Sequence, residues 1–322
     1  MALKERMTTC LSLKNLNFNL TSKYIIVAIS GGPGNQLFQF AAGYYLSKKI
    51  NARLILDHSW YNSSAEKSLG TQSKREFVLQ SLIDSSKFAF SISGLLTKPL
   101  KAYFFTEAFL KGNKTYKINE INEFKFDYRF DEIKNSVFLN GFWQADIYTK
   151  DIDFSFFSKK FFKEIESCID KEIMNKILSP GSICVSIRRG DYDESLLVCD
   201  EKFFFTGIEK ITNYLKDLLI EPYIFVFSDD IEYASQLFSK MNYKNISIIK
   251  KFNGIEKWKS DFYLGSLCSH HIISNSTFSW WVAKINSNFE PTIKKKVIAP
   301  KYWWTRIPVE NIDIYPKNWD II

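Results

Sequence analysis

The feature that most constrains this chain is the alternation of strand and helix signals that runs with little interruption after residue 180. Residues 183–187 form a short β-branched run ending in Arg-Arg-Gly-Asp, residues 201–219 carry an amphipathic helical pattern, and Tyr223–Ser228 is a second apolar run ending in Asp229-Asp230. The pattern continues with a helix over 231–241, a strand over 246–249 and a helix over 258–268 that puts Trp258, Phe262 and Gly265 on one stripe. A strand over 272–274 then runs into a Ser/Thr turn. This βαβα order predicts a parallel, doubly wound sheet, whose ligands sit beyond the carboxyl ends of the strands. Each polar cluster just named falls at such an end.

The N-terminal half opens the same way, with a buried-type strand over 24–29, a glycine turn over 31–36, a helix over 35–50 and a second strand over 53–57. Residues 60–135 lack a clear period and read as helices and loops. A strand over 137–143 follows, and 144–180 carries a linker and helices. A chain of 322 residues with 46% hydrophobic content has the length of two domains. The expectation is an α/β architecture of two Rossmann-like domains, residues 1–150 and 151–322, facing a cleft.

Composition narrows the function classes. Five cysteines are scattered without CxxC or Cys/His zinc spacing, which argues for reduced thiols in a cytoplasm. The first 20 residues hold no signal-peptide apolar stretch, and no segment approaches the roughly 18 apolar residues of a membrane span. The expected protein is neither secreted nor membrane-spanning. A formal charge of +8 is spread as Lys among Phe, Ile and Asn rather than gathered in one tract, so no nucleic acid partner is expected. The short clusters Lys250-Lys251 and Lys294-Lys295-Lys296 read as solvated turns. The 16% aromatic content suits rings stacked on sugar faces and equally a large aromatic core.

Several motifs carry chemistry. In IISNSTFSWWVA, from Ile272 to Ala283, an apolar run breaks into a hydroxyl-rich turn and resumes as a Trp-rich helix start. N–H groups at a helix N-terminus lack internal partners, so Ser276, Thr277 and Ser279 either cap a core helix or grip a phosphate. In Gly31-Gly32-Pro33-Gly34-Asn35-Gln36 the glycines let backbone approach a ligand, while Asn35 and Gln36 present amides; a tight turn explains the glycines as well. The motif is neither GxGxxG nor a Walker loop. Arg188-Arg189-Gly190-Asp191 places adjacent guanidiniums where they suit a diphosphate and a developing leaving-group charge, a surface turn with an Arg–Asp pair being the plainer alternative. Asp229-Asp230 can ligate Mg²⁺, accept from a guanine edge or a ribose, or cap the helix from Ile231; no DxD spacing supports a metal. His58, His270 and His271 form no triad and no HExxH helix, and the last two read as structural at a helix-to-strand corner.

GGPGNQLFQFAAGYYLS (31–47), FLNGFWQADIY (138–148), VSIRRGDY (185–192), FSDD (227–230) and DFYLGSLCSHHIISNSTFSWWVAKIN (261–286) together resemble, in matching order, glycosyltransferase family 11, the α-1,2-fucosyltransferases. The resemblance implies an inverting transfer of L-fucose from GDP-β-L-fucose to a sugar hydroxyl, with no cofactor and no obligatory metal. It also implies a GT-B-like fold with an acceptor-side N-terminal domain and a GDP-sugar-binding C-terminal domain. Arg188 and Arg189 match the arginines expected on the donor diphosphate, Asp229 and Asp230 the guanosine contacts, and Asn275, Ser276, Thr277, Phe278 and Ser279 the segment lining the nucleotide. Asn35 and Gln36 match the glycine-loop amides, near donor phosphate or acceptor. The chain departs from the pattern with Ser186 where the motif usually has histidine, Pro33 in the glycine loop, and His271 and Val282 where Asn and Gly are frequent. Serine still donates one hydrogen bond but does not titrate near neutrality.

For the implied chemistry Asp191 is the leading base candidate, with orientation of Arg188 as its alternative role; Asp57 and Glu194 follow. The expected partners are GDP-fucose and an oligosaccharide or lipid-linked glycan acceptor of an O-antigen or capsule repeat. The expected setting is a bacterial cytoplasm, with peripheral contact between Lys-rich patches and the inner membrane.

Overall fold

The computed structural model describes residues 23–62, 75–84, 89–92, 117–122, 124–190, 192, 196, 198–241, 243–285, 293–304 and 307–322. Its contacts divide the chain between Asp151 and Ile152 into two units. In the N-terminal unit β1 (Tyr24–Ala28) is almost wholly buried, as a central parallel strand requires, and pairs in parallel with β2 (Arg53–Asp57) and β5 (Val137–Asn140). β3 (Ala89–Ile92) and β4 (Lys117–Asn119) complete a parallel sheet of order β3-β2-β1-β5-β4.

The helix Pro33–Ile50 connects β1 to β2. Pro33 opens it, where the missing N–H has no intrahelical partner to lose, and Asn51 closes it in the left-handed conformation at φ 52°. The preceding turn needs Gly31, whose φ is +76°. Two expectations change here. β3 and β4 lie within 60–135, read from sequence as helices and loops; at four and three residues neither is long enough to display a period. β5 ends at Asn140 rather than at 143, because the Glu120 carboxylate accepts from the N–H groups of Phe142 and Trp143 at 2.6 Å each and Trp143 turns left-handed at φ 57°.

In the C-terminal unit β6 (Ser182–Ile187) is buried along its whole length. It lies between β7 (Tyr223–Ser228) and β9 (His270–Ile273); with β8 (Ile246–Ile248), β10 (Val297–Ala299) and β13 (Asp320–Ile321) the sheet order is β13-β10-β9-β6-β7-β8, parallel throughout. β11 (Tyr302–Trp304) and β12 (Ile307–Pro308) form a separate antiparallel ribbon. Helices Glu201–Asp217, Ile231–Ser239, Lys257–Leu267 and Thr277–Lys284 alternate with the strands. Val185, Ile208, Ile211, Val226, Leu237 and Ile272 pack into one fully buried layer, each side chain contributing roughly 1.5–3 kcal/mol of burial. The fold class is thus α/β, two Rossmann-like units in one chain.

β9 begins at His270, so both histidines lie inside a strand rather than at its corner. His270 Nδ1 accepts from the Lys296 N–H at 3.0 Å, and His271 Nε2 lies 3.0 Å from the Gly265 carbonyl. Burial pushes the His270 pKa down to about 4 and that of His271 well below its usual value. Lys295, read as part of a solvated turn, is instead partly buried. Its ammonium donates to the Ala283 carbonyl at a helix C-terminus, and burial pulls its pKa down to about 7. Among the described residues no helix is long and apolar enough to cross a membrane.

Candidate functional site

Strand register assembles the site. Ser186 pairs with Ile273 and Ile187 with Ser228, so the residues following β9, β6 and β7 emerge side by side at the carboxyl ends of neighbouring strands. Three segments roughly 40 residues apart in sequence thereby become neighbours at a strand spacing of about 4.8 Å. They are Arg188-Arg189-Gly190, Asp229-Asp230 and Ser274-Asn275-Ser276.

Asp229 ties the first two together. Its carboxylate lies 2.7 Å from the Arg188 guanidinium and accepts from the N–H groups of Arg189 at 2.9 Å and Gly190 at 3.0 Å. A Cβ at position 190 would stand only 3.0 Å from the same carboxylate, so glycine is what permits the close approach. Asp230 caps the helix Ile231–Ser239 by accepting from the Tyr233 N–H at 2.9 Å, and it is locked to the Ser228 hydroxyl in both directions at 2.9 and 3.0 Å. Each guanidinium also faces an aromatic ring: Arg189 stands 3.9 Å from the Tyr233 ring centroid, and Arg188 5.6 Å from that of Tyr192. The Tyr192 hydroxyl in turn donates to the Asn275 carbonyl at 2.8 Å, reaching the third segment.

In that segment the Ser274 N–H donates to the Ser186 carbonyl at 3.2 Å, extending the β9–β6 ladder. The helix Thr277–Lys284 starts directly after, and the Ser276 side chain makes no capping bond to it. The N-terminal end of this helix, with its partial positive charge, therefore lies beside the arginine loop. The Ser279 hydroxyl is shared between the carbonyls of Ser274 and Ser276 at 3.0 Å each. Thr277 and Phe278 are partly exposed, the latter edge-on to Phe262 at 5.6 Å. Trp280 and Trp281 are fully buried, with the Trp280 indole donating to the Ile314 carbonyl at 2.8 Å, so the rest of the motif is core.

Several anticipated ligand contacts are turned inward instead. The Asn275 amide donates to the carbonyls of Leu196 and Trp303 at 2.8 Å each, and the residue is buried. Gln36 is wholly buried, donating to the carbonyls of Gly31 at 3.1 Å and Glu76 at 2.8 Å and accepting from the Val78 N–H at 2.9 Å. Both side chains bond to backbone groups of the protein and hold loops in place. Asn35 packs against Gly31 in the same N-terminal turn. Ser186 is buried within β6, its hydroxyl 3.5 Å from the Cys184 sulfur. Asp57 accepts from the Ser59 N–H at 3.1 Å. Asp191 and Glu194 lie outside the described residues.

One residue that the sequence reading quoted but did not single out also belongs here. Asp261, on the helix Lys257–Leu267, pairs with Lys257 at 2.6 Å through one oxygen, while its other oxygen is buried without a hydrogen-bond partner. Burial raises its pKa to about 6, against the pull of Lys257 and with a further push from the negative charge of Asp229. Its only sequence signal was an unremarkable Lys–Asp spacing of four on a helix. Among the described residues no group of three or more acidic, histidine or cysteine side chains is placed to hold a metal.

The sequence profile described as glycosyl transferase family 11 matches residues 24–322. The chain belongs to that family. It is 30% identical over 310 residues to an alpha-1,2-colitosyltransferase of Escherichia coli, covering 92% of this chain and 97% of that protein. It is also 29% identical over 300 residues to the Escherichia coli O-antigen biosynthesis glycosyltransferase WbnK, covering 86% and 93%. Among solved structures, it is similar to a mutant of Arabidopsis thaliana FUT1 in complex with GDP, at 14% identity and a TM-score of 0.49 over 90% of this chain and 73% of that one. The protein is thus a glycosyltransferase. The family-11 segments quoted from the C-terminal half are the same ones that β6, β7 and β9 bring together.

Proposed function

We propose that this family-11 enzyme transfers a 6-deoxy-L-hexose, L-fucose or its 3-deoxy counterpart colitose, from its GDP-linked form to the 2-hydroxyl of a sugar in a surface polysaccharide repeat. The reading is supported above all by the register that sets Arg188-Arg189, Asp229-Asp230 and the Ser276 helix start side by side. Arg188, Arg189 and the positive N-terminal end of the helix hold the diphosphate and stabilise the charge that grows on it. Asp229 orients Arg188 and fixes the loop, and Asp261 offers a shielded acceptor to N–H groups of the donor's base. The acceptor oxygen bonds to the anomeric carbon as the bond from that carbon to the phosphate oxygen breaks. Configuration inverts, the electron pair leaves on GDP, and the acceptor proton passes to a base. Asp191 takes that part on its place in the sequence beside the arginines.

The α-1,2-colitosyltransferase named above favours colitose as the donor sugar, while the motif resemblance favours fucose. Incubation of the purified enzyme with GDP-fucose and GDP-colitose over a galactoside panel, with the product linkage read by NMR, decides between them. The expected outcome is one α-1,2-linked product; transfer from neither donor, together with no GDP binding by calorimetry, removes the proposal.

A further inference from the structure

We propose that Tyr233 is a positioning residue for Arg189, its ring being the seat from which that guanidinium reaches the donor diphosphate. The inference rests on the donor reading above. Arg189 is held at one end by the loop after β7 and at the other by the helix that follows it. Its N–H is fixed on Asp229 at 2.9 Å, and its guanidinium carbon stands 3.9 Å from the Tyr233 ring centroid, the distance of a stacked pair. The backbone that carries the ring is anchored, since the Tyr233 N–H donates to the Asp230 carboxylate and the Asp230 main chain is bonded in both directions to the Ser228 hydroxyl.

The choice of an aromatic partner has a chemical consequence. Arg188 meets a carboxylate at 2.7 Å, whereas no carboxylate among the described residues lies within ion-pair distance of Arg189. A carboxylate orients a guanidinium and neutralises it, while a ring face orients it and leaves its full charge for an incoming anion. Tyrosine also stacks on the flat guanidinium and leaves the in-plane N–H groups free to fork onto phosphate oxygens. The helix that Asp230 caps therefore sets the reach of a charge-bearing residue just beyond the neighbouring strand.

The test compares GDP affinity by calorimetry, with melting temperature as a control, across Tyr233→Leu, Tyr233→Phe, Arg189→Ala and Tyr233→Leu combined with Arg189→Ala. Loss of a stacked cation is expected to weaken GDP binding about tenfold in Tyr233→Leu. Tyr233→Phe, which keeps the ring, should bind as the wild type does, and Tyr233→Leu should cost nothing further once Arg189 is alanine. Tyr233→Met serves the same comparison if the leucine variant does not fold. An equal loss with and without Arg189, or a phenylalanine variant as weak as the leucine one, overturns the positioning role alone. Wild-type GDP affinity in Arg189→Ala would instead overturn the donor reading of that arginine, and the seat with it.

Discussion

At the scale of single residues, the site is organised by one carboxylate that accepts from three donors. Asp229 holds Arg188 and the backbone of Arg189 and Gly190, so the arginines owe their placement to a neighbouring strand. Arg188→Ala is expected to weaken GDP binding and nearly abolish turnover, because a charge-assisted clamp on a developing anion is worth about 2–4 kcal/mol. Unchanged kinetics in a folded variant would remove Arg188 from the site. Arg188, Arg189 and the Ser276 turn were legible in the sequence because each closes an apolar run, and that position has a fixed meaning in a parallel sheet. The inward bonding of Gln36 and Asn275 was not legible in the same way. Amides in loops look available, and whether they face a ligand or a neighbouring carbonyl depends on contacts with Glu76 and Val78, or Leu196 and Trp303, that lie far away in sequence. Tyr233 and Asp261 gave no local sign of their places, since each sits within an ordinary helical pattern.

At the scale of elements, β9 carries two neutral histidines through the core. The unfolded chain takes up a proton on His270 near pH 6.5, whereas the folded one resists until about pH 4. The unfolded state therefore binds more protons between these values, and His270 withdraws stability as pH falls through that window. His271, whose pKa is also lowered, acts in the same direction. Asp261, with its pKa raised to about 6, acts in the opposite one, so the comparison must be made against a variant. The melting temperature of His270→Asn is expected to fall less than that of the wild type between pH 7 and pH 4.5; parallel profiles would mean that the imidazole titrates normally in the fold. Strand and helix order in the C-terminal unit could be read from periodicity, as could β1, the helix after it and β2. β3 and β4 could not, because three or four residues in a sheet are fixed by their pairing partners and not by their own pattern.

For the whole molecule, the chemistry proposed needs positive charge from the chain itself, from two guanidiniums and a helix start. Turnover is accordingly expected to survive EDTA, and complete loss restored by Mg²⁺ would instead make Asp229 and Asp230 metal ligands. The excess of basic residues, +8 in all, leads to a second expectation. Flotation with acidic liposomes at low salt should carry part of the protein upward and release it as salt rises, since attraction to an anionic surface is screened. Protein wholly left in the soluble fraction would rule out that attachment. The adjacency of β9, β6 and β7 bears on how such an enzyme tolerates change. Extra residues inserted into an exposed loop at the amino ends of the strands alter only the path between two fixed elements, so they leave the carboxyl-end site intact. Removing a single residue from β6 slides the pleat by one, turns inward-facing side chains outward and carries Arg188 off Asp229, so one deletion there does more harm than a whole added turn elsewhere.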